Sequence, residues 1–339
     1  LDDSERKKRY PGDRTRYLPG EYILHTEPLK EFEVPELDPR LCWALVRFHR
    51  SPHGGLSLSR SEGGEARLFN PWSASKVMSI ALASLSLRDS GSGLTGSVRG
   101  LPLGDLVTLI CSYDVTRAFG TTPLNSNNAA SYFHSLIGPP SPTRQLRARL
   151  GIDERAAFET SYGTTFRDDP RVPRPQGYTG GMGRGKGQKL MNARILASGF
   201  CSALIQMNPE DLKILLYGAE LSRWYSTYCD KVRVEMGGMC ADPSIYVQSA
   251  FDLNRIEQES GGRWRIFSKI GYGPATRERG NEFVLLSYFS LPVIDATGGP
   301  VANLGREGVL AARFHGEGLA DVEADELFAE NIVRLLGCL

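Results

Sequence analysis

Histidine and cysteine are both scarce in this chain and nowhere gathered. Five histidines (His25, His49, His53, His134, His315) and six cysteines (Cys42, Cys111, Cys201, Cys229, Cys240, Cys338) are spread over 339 residues. No spacing among them suits a zinc ligand set, and the histidines show no Ser-His-Asp clustering. A resident metal is therefore not expected, and nothing calls for a cofactor. Cys229 and Cys240 are the best local disulfide candidates, against the alternative of free buried thiols. No apolar run reaches the ~20 residues needed to cross a bilayer. Net charge is only +1, so neither nucleic acid nor a membrane surface is indicated as a partner. Gly180 to Lys186 has the form Gly-x-x-x-x-Gly-Lys, but Gly187 stands where a magnesium-binding Ser or Thr belongs. No hydrophobic strand precedes it either, so a phosphate-binding loop is set aside and residues 168–189 read as a basic loop bordering a cleft.

With 41% hydrophobic and 23% charged residues, the chain has the means to bury a substantial core. It begins at Leu1 without a signal-like apolar stretch, which reads as a processed chain. Residues 1–40, rich in Lys, Arg, Glu and Pro, read as an arm lying against a body that spans 41–339. Residues 41–50 and 65–69 read as paired strands across a hairpin near Gly54-Gly55. Helix patterns dominate from Ser73 to about Tyr225, including 189–207 and 209–223. Strands return over 263–291 and 309–315, and Asp321 to Leu336 reads as a closing helix with Leu327, Phe328, Ile332, Leu335 and Leu336 at core spacing. His134 reads as a core-adjacent helix residue, His53 and His315 as turn residues beside glycines. Strands from both ends around a helical middle imply an α+β fold. One antiparallel sheet flanked by terminal helices (about 41–70 and 226–339) would stand beside an all-helical subdomain (about 71–225).

Three short motifs follow one another along this scaffold: Ser73-Ala74-Ser75-Lys76, Ser126-Asn127-Asn128 and Lys269-Ile270-Gly271. A Ser-x-x-Lys match arises about once by chance in a chain of this length. Ser4-Glu5-Arg6-Lys7 is such a match, in a charged leader without an apolar stripe. Ser73 differs in context. Asn70-Pro71-Trp72 breaks the preceding segment, and residues 74–87 read as a buried helix with Val77, Ile80, Ala81 and Leu85 on its apolar surface. That places Ser73 at a helix N-terminus, where free N–H groups favour developing negative charge. Lys76, one turn on, is placed to take the hydroxyl proton, provided burial lowers its pKa. Ser126-Asn127-Asn128 reads as a loop between helices. Lys269 and Gly271 read as strand residues, the glycine allowing backbone to approach a ligand closely.

The ordered triple resembles the penicillin-recognising serine enzymes, the serine β-lactamases (class A-like) and DD-peptidases. The resemblance covers the chain from about Leu41 onward. It implies Ser73 as the nucleophile that forms an acyl-enzyme, Lys76 as its proton acceptor and Ser126 as the relay to the departing nitrogen. Asn128 would orient Lys76 and the substrate amide, and Lys269 would hold the substrate carboxylate. Gly271 and Tyr272 would line the substrate strand, the backbone N–H of Tyr272 and that of Ser73 forming an oxyanion hole. It further implies a β-lactam or related amide as substrate and a periplasmic or secreted location. The alternatives are a DD-peptidase, a repurposed esterase or amidase, or a penicillin-binding sensor that acylates without turnover. Two departures stand out. The Glu-x-x-x-Asn signature of class A deacylation is missing after Asn128, leaving Glu159 and Glu154 as candidate bases, and position 270 is isoleucine where Thr or Ser is usual. Deacylation is therefore expected to limit turnover.

Overall fold

Two strands from opposite ends of the chain meet at the centre of the sheet. In the computed structural model β2 (Leu41–Arg50) pairs antiparallel with β8 (Arg306–His315). The sheet runs in the order β1-β3-β2-β8-β7-β6, with β1 at Glu21–Tyr22, β3 at Gly55–Gly63, β6 at Arg265–Pro274 and β7 at Asn281–Leu291. Every neighbouring pair is antiparallel except β1 with β3. The structure describes residues 21–22, 36–50, 55–98, 101–112, 118–119, 122–123, 126–138, 140–152, 155–159, 162, 189–224, 244–275, 280–301 and 304–339.

Strand alternation sorts the side chains into two cores. Val46, Phe48, Phe267, Val284, Leu286 and Val309 face a helical layer, while Leu45, Ile266, Phe283, Leu285, Leu310 and Phe314 face the other way. β7 is buried from Glu282 to Leu291, which explains why its sequence is nearly continuously apolar. The helical layer contains α1 (Lys76–Asp89), α2 (Leu103–Ser112), α3 (Ser126–Leu136), α4 (Pro142–Leu150), α5 (Ala193–Gln206) and α6 (Pro209–Trp224). α7 (Ser244–Gln248), α8 (Leu253–Ser260) and α9 (Asp321–Leu336) cover the opposite face, α9 through Phe328, Ile332, Leu335 and Leu336. A two-residue ladder of β4 (Ala157–Phe158) with β5 (Lys189–Leu190) leads into α5. The fold is α+β, an antiparallel sheet with helices on both faces.

Four local expectations are corrected. The partner of β2 is Gly55–Gly63, not residues 65–69: at Gly64 φ is +78° and a Cβ would lie 2.2 Å from the Leu41 carbonyl oxygen, so the strand cannot run on. Residues 189–190 form a strand, and the helix starts only at Ala193 because the Asn192 side chain caps it, accepting from Ile195 N at 2.8 Å. Ser126-Asn127-Asn128 is the first turn of α3 rather than a loop. His315 ends a strand and is buried, its backbone N donating to Arg40 O at 3.3 Å. His53, the Cys229–Cys240 pair and the Gly180–Lys186 stretch lie outside the described residues. Cys42, Cys111, Cys201 and Cys338 are free thiols.

Candidate active site

Ser73 sits in a 3₁₀ turn, Trp72–Ser75, that leads directly into α1. Trp72, immediately before it, has φ of +46° and is the one non-glycine residue with positive φ among the described residues. Such a conformation costs roughly 1–3 kcal/mol and persists only where its surroundings impose it. Here they do so from several sides. Trp72 N donates to Asn70 Oδ1 at 3.0 Å, and Trp72 O accepts from Ser75 Oγ at 2.7 Å. Its indole Nε1 donates to Glu282 Oε1 at 2.9 Å, and that buried carboxylate accepts from Arg313 Nε at 2.9 Å. The indole ring lies against Gly273 so closely that a Cβ there would meet it at 2.5 Å.

β6 is the edge strand beside this turn. A Cβ on Gly271 would lie 2.5 Å from Pro71 O and 2.8 Å from Ala74 N, so only glycine lets the strand pass the Ser73 turn. Lys269 shares this side of the strand by alternation. Ile270 and Tyr272 pack toward the α9 core instead. The Tyr272 phenol donates to Asp321 Oδ2 and accepts from Asn281 Nδ2, both at 2.6 Å, so what Tyr272 offers the Ser73 side is backbone.

Lys76 is buried, and its Nζ donates to Ser126 Oγ at 3.0 Å, joining the first motif to the second. Burial lowers its pKa to about 8, opposed by the neighbouring Cys111 thiol. Lys269 is fully buried and is held well below the usual lysine range by burial first and by Lys76 second. The Cys111 thiol, pushed up to about 12 by burial, is drawn back down by both amines. Lys76, Lys269 and Cys111 thus lie within electrostatic reach of one another. Asn128 lies half-buried in the first turn of α3. Glu159 is exposed and accepts from Ser141 Oγ at 3.1 Å beside the N-terminus of α4; Glu154 lies outside the described residues.

Two further groups enter the site from segments that carry no motif. Tyr162 places its hydroxyl 3.0 Å from both Ser75 Oγ and Ser79 Oγ, with its ring centroid 5.8 Å from Lys76 Nζ. Lys189 Nζ lies over the same ring at 3.4 Å. Burial, then Lys76, brings the Lys189 amine down to about 7. His134, whose Nδ1 is 3.3 Å from Ser79 Oγ, is held to about 3 by burial, then Lys189, and so stays neutral. The sequence signal for these residues is faint: Lys189 merely precedes the apolar pair Leu190-Met191, and nothing in spacing ties Tyr162 to Lys76. Among the described residues, no group of three or more His, Cys, Asp or Glu could hold a metal ion, and no helix is long and apolar enough to cross a membrane.

No protein-family profile matches this chain, and no curated protein sequence does. Among solved structures it is similar to a class A β-lactamase described as that of the last common ancestor of Gram-negative bacteria, at 12% identity and TM-score 0.49, covering 87% of this chain and 91% of that one. It is also similar to a β-lactamase of Xanthomonas campestris pv. campestris, at 17% identity and TM-score 0.48, covering 88% and 92% of the two chains. An ancestral class A β-lactamase gives 14% identity and TM-score 0.49 over 86% and 92%.

Proposed function

We propose that this protein is a serine acyl-transfer hydrolase acting on a β-lactam or a related amide, in the manner of the penicillin-recognising enzymes its motifs resemble. The observation that carries the reading is the 3.0 Å hydrogen bond from Lys76 to Ser126, one turn after Ser73 and next to a strand that only glycine lets approach. In this reading the neutral Lys76 amine takes the Ser73 proton as Oγ bonds to the substrate carbonyl carbon. Ser126 passes a proton to the departing nitrogen, and backbone N–H groups of Ser73 and Tyr272 receive the oxyanion. Asn128 orients the substrate amide, and the protein works in the periplasm or outside the cell. Intact mass and peptide mapping after incubation with a fluorescent penicillin and with activated esters test it. The adduct is expected on Ser73 and not on Ser4; label elsewhere, or none with any reagent, overturns the assignment.

Lys269 serves as the carboxylate site. An arriving carboxylate favours the ammonium form of an amine whose pKa burial has lowered, so capture is coupled to proton uptake and weakens as pH rises. Lys269→Ala is expected to weaken acylation by carboxylate-bearing substrates while sparing esters that lack one. Equal losses on both, in kinetic comparison, would make Lys269 structural.

A second reading, a sensor that acylates and does not turn over, has one observation on its side: Glu159 is exposed and engaged by Ser141. The rate at which the Ser73 adduct is lost decides between the two.

A further inference from the structure

Lys189 is held beside α1 by a two-residue ladder in which it pairs with Phe158. Its side chain is buried, and its amine rests on the Tyr162 ring at 3.4 Å. That ring is fixed in turn, because the Tyr162 hydroxyl is hydrogen-bonded to Ser75 on the nucleophile turn and to Ser79 on α1. Lys76 Nζ stands 5.8 Å from the centroid of the same ring. Two buried amines therefore share one aromatic ring beside the nucleophile helix, and acylation uses only one of them. Glu159, the carboxylate nearest in sequence to this place, is exposed and bound to Ser141.

We infer that Lys189 is the second proton acceptor of the site and takes the proton from the water that releases the acyl group from Ser73. This rests on the acyl-enzyme reading of Ser73. The water oxygen bonds to the acyl carbonyl carbon as one of its protons passes to Lys189 Nζ. The tetrahedral centre then collapses, the bond to Ser73 Oγ breaks, and the proton held on Lys189 returns to that oxygen. The acid product gives up its remaining proton to solvent. The titratable groups around Lys189 among the described residues are Lys76 on α1, His134 on α3 and Tyr162, with Lys269 on β6 and Cys111 on α2 beyond Lys76. Burial keeps the Tyr162 phenol protonated and His134 neutral. Lys189, at about 7, changes charge near neutrality, with Lys76 close above it at about 8. Its amine form grows as pH rises through that value, so adduct loss accelerates in the same direction.

The test measures adduct formation and adduct lifetime separately on the full chain, by intact mass across pH, for Lys189→Met and Lys189→Arg. Methionine keeps the apolar stem; arginine keeps a cation on the Tyr162 ring but does not lose its proton. Both substitutions are expected to lengthen the Ser73 adduct lifetime by roughly a hundred- to ten-thousand-fold and to abolish its acceleration near pH 7, with the initial burst unchanged. Arginine restoring the parental lifetime would make Lys189 a structural cation and overturn the inference. So would an unchanged lifetime in either folded variant, or the same slowing produced by Glu159→Gln. Absence of any Ser73 adduct in the unsubstituted protein would remove the acyl-enzyme reading itself, whereas a Ser73 adduct with unaltered lifetime in the variants removes only the role of Lys189.

Discussion

Lys76→Ala is expected to slow acylation of Ser73 by roughly a hundred- to ten-thousand-fold, the range typical when a general base is lost. The effect follows from what the amine does in its place. Lys76 is buried, hydrogen-bonded to Ser126 at 3.0 Å and brought to about 8 by burial, so a useful fraction is neutral at neutral pH. In the parent protein the acylation rate should rise as pH passes upward through about 8, because the amine form is the competent one. The alanine variant should lose that rise along with the rate. Folding should survive, since removing a buried amine also removes the cost of desolvating it. Rapid-quench measurement of adduct formation against pH, beside thermal unfolding, checks both halves. An alanine variant that acylates within a few-fold of the parent would show that Lys76 does not accept the Ser73 proton.

Gly271→Ala is the second large effect. The added methyl would lie 2.5 Å from Pro71 O and 2.8 Å from Ala74 N, backbone atoms on either side of Ser73 that cannot swing away as a side chain can. Either β6 withdraws or the turn shifts. Displacement by about 1 Å at a reacting group can cost on the order of a hundred-fold in rate. The acylation rate constant should fall by about that factor for esters and amides alike, which separates this variant from Lys269→Ala. Gly273→Ala offers a graded comparison, because its methyl would meet the Trp72 ring at 2.5 Å, and a ring can tilt at the expense of its bond to Glu282. Gly271→Ala acylating at the parental rate would mean that the strand does not fix the turn.

Much of this architecture was legible before any coordinates. The closing helix reads directly from Leu327 to Leu336 because one face of a 3.6-residue repeat is apolar, and it occupies Asp321–Leu336. β7 reads as a buried strand because both of its faces meet a core. The hairpin partner of β2 is hard to read from sequence because Gly55–Gly63 is rich in serine, with Arg60 and Glu62 charged; its Leu56 and Leu58 carry the alternation weakly, while residues 65–69 look more apolar than their conformation warrants. In the site, the three motifs announce the residue types, and Lys76 meets Ser126 across two helices. What spacing could not reveal is what arrives by tertiary contact alone. Lys189 is held by its pairing with Phe158 and Tyr162 by Ser75, Ser79 and Ser131, and the two meet only in the folded chain. The positive φ of Trp72 is imposed by Glu282, Gly273 and Asn70, partners that no local propensity encodes.

The pairing of β2 with β8 has a consequence for how this molecule comes into being. Residues Lys76 to Leu85 of α1 are buried without exception, and α5 packs against both β2 and β8. Until residues 306–315 have paired, the middle of the chain has helices but no complete sheet to cover them. Contacts that span so much of the chain carry a high loop-closure cost and form slowly. The Ser73 turn inherits this dependence, since Trp72 is held by Glu282 and Glu282 by Arg313. Ser73 lies early in the sequence but acquires this geometry only once β8 has paired. The shape of the turn that carries Ser73 thus coincides with completion of the sheet.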